Sequence, residues 1–167
     1  MLRKVALAFA ALAIGSTAAM ARPDLVHSPN GYSAGSIVVK TNERRLYLVL
    51  GDGYAVRYPV GVGKPGKQWA GSTRIDGKYR NPAWSPPADV KRDNPRLPDV
   101  IEGGSPRNPM GVAAMTLAGG EYAIHGTNVP NSIGGYVSYG CVRMYNQDIS
   151  DLFERVSVGT PVYVTSR

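Results

Sequence analysis

The 167 residues contain a single cysteine and only two histidines. One thiol excludes an internal disulfide, so a core here must hold by packing, and the chain is long enough to build one. One cysteine and two distant histidines are also too few ligands for a zinc site. No second cysteine is present to resolve an oxidised thiol, which a reversible redox sensor would need. The longest uninterrupted apolar stretch, Val5 to Ile14, is too short to span a bilayer. Basic residues outnumber acidic ones, 19 to 12, but no dense Lys/Arg run marks a nucleic-acid surface. The Gly-rich segment Gly61 to Gly66 lacks the spacing of a phosphate-binding loop, and no helical pattern follows it. No internal repeat appears.

What is present begins with an export signal. Arg3 and Lys4 precede the apolar run, and Ala19-Met20-Ala21 supplies a small-residue cleavage site, so residues 1–21 read as a secretory signal peptide. No membrane span is expected after processing. Residues 22–35, rich in Pro, Ser and Gly, read as a flexible lead. They contain His27, which reads as a surface histidine. Residues 36–166 form the single folded domain. Removing residues 1–21, with their two positive charges, takes the net charge from +7 to +5, which is mildly basic and suits contact with an anionic polymer as well as plain solvation.

From Ser36 the pattern is that of a β protein. Ile37 to Val39, Arg45 to Leu50 and Tyr54 to Val60 are strand-like runs joined by the turns Thr41 to Arg44 and Gly51-Asp52-Gly53, a meander. Residues 67–112 show little regular pattern and read as a long insert containing Trp69, Trp84 and several prolines. Ala113 to Leu117 and Glu121 to His125 flank a Gly119-Gly120 turn as a hairpin. Asn146 is a candidate N-cap for a helix whose Ile149, Leu152, Phe153 and Val156 share one face. Val162 to Val164 is a closing strand. The sum is a mainly β domain, a sandwich or open barrel, with one helix in its C-terminal half.

The only cysteine lies 16 positions after His125, and Gly134, Gly135 and Gly140 fall between them. A thiolate is the reactive form of cysteine, and an imidazole can take the thiol proton. Glycines let the chain double back, so this loop can bring Cys141 beside His125. The alternative is a buried, inert thiol. Amides around Gly140 and Cys141 are candidate donors to an oxyanion. Ser138 could add its hydroxyl or simply cap the turn. Arg143, two residues past Cys141 on an extended segment, points to the same side. It could favour the thiolate, bind a substrate carboxylate, or pair structurally with Asp148 or Asp151.

The segments His125-Gly126-Thr127 and Ser138-Tyr139-Gly140-Cys141-Val142-Arg143-Met144 resemble the signature of the L,D-transpeptidase (YkuD) catalytic domain. The resemblance extends from about Ser36 to Thr165. It implies a β-sandwich-like fold with a helix packed near the site. It also implies Cys141 as nucleophile, His125 as proton acceptor and donor, and the Gly126 carbonyl as the group that orients the imidazole. The implied reaction is acyl transfer from a peptidoglycan tetrapeptide stem through a Cys141 thioester, with release of D-Ala and no cofactor or metal. The acceptor could be a diaminopimelate amine giving a 3→3 crosslink, a lipoprotein lysine, a free D-amino acid, or water as in an L,D-carboxypeptidase. Carbapenem-type inhibitors would acylate Cys141. Export would place the protein in the periplasm or cell envelope. Tyr139 departs from the pattern, since histidine is common directly before the Gly-Cys pair, and Tyr139 is retained as a substrate-binding candidate. A non-catalytic wall-binding protein is the competing reading.

Overall fold

A computed structural model of the chain describes residues 23–166, so the signal peptide read at 1–21 lies outside the described residues. The strands of the first half are β1 (Asp24–His27), β2 (Ile37–Lys40), β3 (Arg45–Gly51), β4 (Tyr54–Pro59), β5 (Val62–Gly63) and β6 (Gly71–Arg80). Helix α1 (Ala88–Asp93) follows, then β7 (Ala113–Leu117), β8 (Ala123–His125), β9 (Tyr136–Ser138) and β10 (Val142–Arg143). Helix α2 (Asn146–Arg155) and β11 (Pro161–Thr165) complete the chain. The fold is mainly β, built on one large mixed sheet in the order β1-β4-β3-β2-β11-β6-β7-β8-β10, with β5 and β9 paired separately.

The meander β2-β3-β4 is antiparallel, and its alternation sorts side chains to two faces. Ile37 and Val39 enter the main core, while Val38 joins Tyr47, Val49 and Ala55 in a smaller cluster on the other face. That second face is closed by Val26 and Tyr32. Both fall in the segment read as a flexible lead, and residues 24–27 of it pair with β4 as an edge strand. His27 is exposed and stacks on Tyr54.

Strand β6 joins the two halves of the sheet. Its first residues, Gly71 to Arg74, pair with β11, and Ile75 to Arg80 pair with β7 with a register shift between Ile75 and Gly77. Only Ile75 and Gly77 are buried along it, so its polar sequence reads as irregular although it is central. The region 67–112 is therefore not one insert: β6 occupies its first part. The true excursion leaves the sheet after Arg80 and returns at Ala113, which face each other as a pair. Inside it the buried Asn108 side chain donates to the carbonyls of Pro82, Ile101 and Glu102 and accepts from the Met110 amide.

Helix α2 buries Ile149, Leu152 and Phe153 in the main core, and Val156 follows at its end. Each such side chain contributes about 1.5–3 kcal/mol on burial. Lys78 Nζ donates to the carbonyls of Phe153 and Val156 at 2.6 Å and so satisfies the end of the helix. The N-cap is Tyr145, without a side-chain cap. Asn146, expected at that position, is the first helical residue. Its Oδ1 instead accepts the amides of Thr127 at 3.0 Å and Val112 at 3.4 Å. Among the described residues no helix is long and apolar enough to cross a membrane.

Candidate active site

Strands β8 and β10 run parallel and side by side, with Val142 opposite Ile124 and Arg143 opposite His125. Carrying that register back one step sets Cys141 opposite Ala123. Side chains two apart on a strand share a face, so Cys141, Arg143 and His125 lie on one side of the pair. Cys141 and His125 are then diagonal neighbours, a spacing of about 7–8 Å. Short strands suffice because the ladder is anchored at its ends: Met144 N–H donates to the His125 carbonyl at 2.8 Å, and Gly61 exchanges two backbone bonds with Arg143.

His125 is buried, and its Nδ1 donates to the Gly126 carbonyl at 2.6 Å. A carbonyl only accepts, so this bond fixes the proton on Nδ1 and leaves Nε2 as the basic nitrogen. Gly126 is required by space as well. A Cβ there would stand 2.3 Å from Asn146 Oδ1. Burial depresses the His125 pKa to about 4, helped by the positive charge of Arg143, while the carbonyls of Gly126 and Pro109 act the other way. The imidazole is neutral at neutral pH.

Cys141 is half-buried, and its sulfur lies 4.0 Å from the Glu121 carbonyl oxygen. Burial raises its pKa, and the Ala123 amide and Arg143 oppose that rise. At rest, therefore, the thiol and the imidazole are both neutral.

The loop before the nucleophile is tightly specified. Ser138 is buried; its Oγ accepts the Gly140 amide at 3.1 Å and donates to the Cys141 carbonyl at 2.6 Å. This corrects the expectation for the Gly140 amide and selects the turn-capping alternative for Ser138. The Gly140 amide is spent on Ser138, and the Ser138 hydroxyl is spent on the turn, so neither faces an incoming oxyanion. The Cys141 amide donates to no acceptor among the described residues. Gly140 adopts a φ of +127°, and a Cβ on it would meet the Tyr122 ring at 2.3 Å. Tyr122 stacks on Trp69 with ring centroids 5.1 Å apart, and the Trp69 indole N–H donates to the Gly140 carbonyl at 2.9 Å.

Arg143 is half-buried, and its Nε is buried without a partner. The structural ion pair considered for it does not form. Asp151 pairs with Arg155 and accepts from Tyr58, and the buried Asp148 carboxylate has no partner. Both acids sit on helix α2. Tyr139 donates its hydroxyl to Asp93 Oδ2 at 2.6 Å, a contact across 46 positions that no local pattern could announce. Among the described residues no group of three or more His, Cys, Asp or Glu converges as metal ligands would.

The model of the L,D-transpeptidase catalytic domain matches residues 34–164. "Probable L,D-transpeptidase YbiS" of Escherichia coli (strain K12) is 40% identical over 149 residues, covering 84% of this chain and 45% of that protein. The chain thus spans under half the length of that relative. A solved structure from Brucella melitensis, described as a "Probable carnitine operon oxidoreductase caia", is 39% identical, covers 83% of this chain and 90% of its own, and superposes with a TM-score of 0.57. L,D-transpeptidase 3 of Mycobacterium tuberculosis, solved with a faropenem-derived adduct, shares the fold with a TM-score of 0.60 at 16% identity, over 78% of this chain and 59% of that one.

Proposed function

This chain belongs to the L,D-transpeptidase catalytic-domain family, and from that premise we propose that it transfers the acyl group of a peptidoglycan tetrapeptide stem through a thioester on Cys141. The observation that carries this is the pairing of β8 with β10, which sets Cys141, the residue just before β10, next to the strand that ends in His125, with the imidazole oriented by the Gly126 carbonyl.

Cys141 Sγ attacks the carbonyl of the bond to the terminal D-Ala, and its proton passes to His125 Nε2. The tetrahedral oxyanion takes the Cys141 amide. Collapse breaks the C–N bond; His125 returns the proton to the departing amine, and D-Ala leaves. The acceptor amine attacks the thioester, gives a proton to His125, and the thiol is restored. A neutral imidazole is the competent form for the first step, and the depressed His125 pKa keeps it so. Arg143, unpaired and beside both groups, favours the developing thiolate and is placed to meet a stem carboxylate. A carbapenem enters the same acylation step, in line with the faropenem adduct of the mycobacterial relative. We place the processed protein in the periplasm or cell envelope, on the signal segment of residues 1–21.

The test is incubation with disaccharide-tetrapeptide, read by intact mass of protein and products. Loss of D-Ala with a dimeric product supports the 3→3 crosslink, and loss without a dimer identifies water as acceptor. Cys141→Ala should lose at least about a thousandfold in turnover with its folding intact. Full activity in that variant refutes the assignment.

A further inference from the structure

Helix α1 buries none of its side chains, so apolar packing does not hold it in place. Polar contacts do. Asp93 Oδ2 accepts the Tyr139 hydroxyl at 2.6 Å and lies 3.6 Å from Lys64 Nζ. The same ammonium sits over the Tyr139 ring, 3.7 Å from its centroid. One turn earlier, Asp89 pairs with Lys67 and Arg92. The backbone beneath repeats the tie. Lys64 N–H donates to the Ser138 carbonyl at 2.8 Å, and the Trp69 indole to the Gly140 carbonyl. Every one of these contacts ends on α1, on residues 64–69, or on the three residues before Cys141.

This arrangement accounts for the departure at position 139. A phenol offers Asp93 a donor and offers Lys64 a π face, both without charge. A protonated imidazole there would be repelled by the ammonium 3.7 Å away. Each exposed pair is worth about 0–1 kcal/mol and is screened by salt. A six-residue helix held only by such pairs belongs to the low-stability end of the fold.

We propose that Tyr139 and Asp93 are positioning residues: their hydrogen bond seats α1 against the nucleophile-bearing loop, where the helix forms a detachable part of the wall that the acyl donor meets. The consequence for the donor rests on the acyl-transfer reading; the seating of α1 does not. Opening this contact lets α1 leave without disturbing the sheet.

Hydrogen exchange of the amides at 88–97 is measured in the full chain, in Tyr139→Phe, in Asp93→Asn and in the double variant, at low and high ionic strength. The dissociation constant for disaccharide-tetrapeptide is measured for the same set on a Cys141→Ala background, where turnover plays no part. Each single variant should exchange about fivefold faster, the ratio one such hydrogen bond supports. The double variant should add little, high salt should shrink the differences, and donor binding should weaken in parallel. Unchanged exchange in both single variants overturns the seating of α1. Faster exchange with unchanged donor binding reduces the contact to a structural one and overturns the positioning role. Absence of D-Ala release by the unmodified protein would instead refute the acyl-transfer reading, while exchange and binding still decide this proposal.

Discussion

Arg143 stands directly opposite His125 across the parallel pair β8–β10, and its guanidinium acts on both His125 and Cys141. The positive charge favours the thiolate and disfavours the imidazolium. Arg143→Gln should therefore move the midpoint of Cys141 alkylation, followed against pH with iodoacetamide, to higher pH. It should also raise the His125 pKa toward its ordinary value, as read by ring-proton NMR. A midpoint that stays or falls refutes this electrostatic role.

Two buried groups give stability opposite slopes in acid. His125 has a folded pKa of about 4 against an ordinary 6.5. The unfolded chain takes up its proton first, so stability falls as pH drops from about 6.5 to about 4. Asp148 has a folded pKa of about 6 against an ordinary 3.8, because burial, and then the charge of Asp151, disfavours its anion. Its contribution is full below 3.8 and is lost as pH rises through about 6. Asp148→Asn removes that loss. Denaturant titrations should show it more stable than the parent at pH 7, by on the order of 2 kcal/mol, with the gain shrinking toward pH 4. A variant less stable at pH 7 contradicts the unpaired buried carboxylate.

Ser138 bonds both the Gly140 amide and the Cys141 carbonyl. Ser138→Ala leaves those backbone groups unsatisfied, at a cost of about 1–3 kcal/mol. Thermal unfolding should show the loss, and kcat should fall more than KM rises, because the nucleophile's own loop is loosened.

Gly140→Ala should be worse than its size suggests. The added methyl meets the Tyr122 ring at a backbone φ of +127°, which costs roughly 1–3 kcal/mol from the left-handed conformation alone. Displacing Tyr122 also disturbs its stack on Trp69. Near-UV dichroism should change together with activity, and an unchanged aromatic signal counts against the contact.

The parts of this fold that the chain announces are local ones. The meander β2–β4, the hairpin β7–β8, the apolar face of α2 and strand β11 all carry strong alternation or a helical stripe. Strand β6 carries neither, because eight of its ten residues are not buried and it is held by backbone pairing on both sides. Strand β1 is hidden by the proline and glycine around it. The return of the chain from His125 to Cys141, just before the neighbouring strand, follows from the glycine-rich crossover and needs only short-range reasoning. The partners of Ser138, Tyr139 and Arg143 do not. They depend on which distant residues the sheet brings near, as Asp93 and Lys64 show at Tyr139. The helix cap went to Tyr145 rather than Asn146 because the asparagine side chain is committed to Thr127 and Val112.

The excursion over residues 81–112 springs from Arg80 and Ala113, partners on adjacent strands. Its two roots are therefore as close as the ends of a tight hairpin, whatever length of chain lies between. Shortening, lengthening or swapping this appendage leaves β6 and β7 in register, and lengthening costs only the slow logarithmic entropy of a larger loop. Because the Pro109 carbonyl reaches His125, the scaffold can be re-equipped between Arg80 and Asn108 while the thiol and imidazole keep their places.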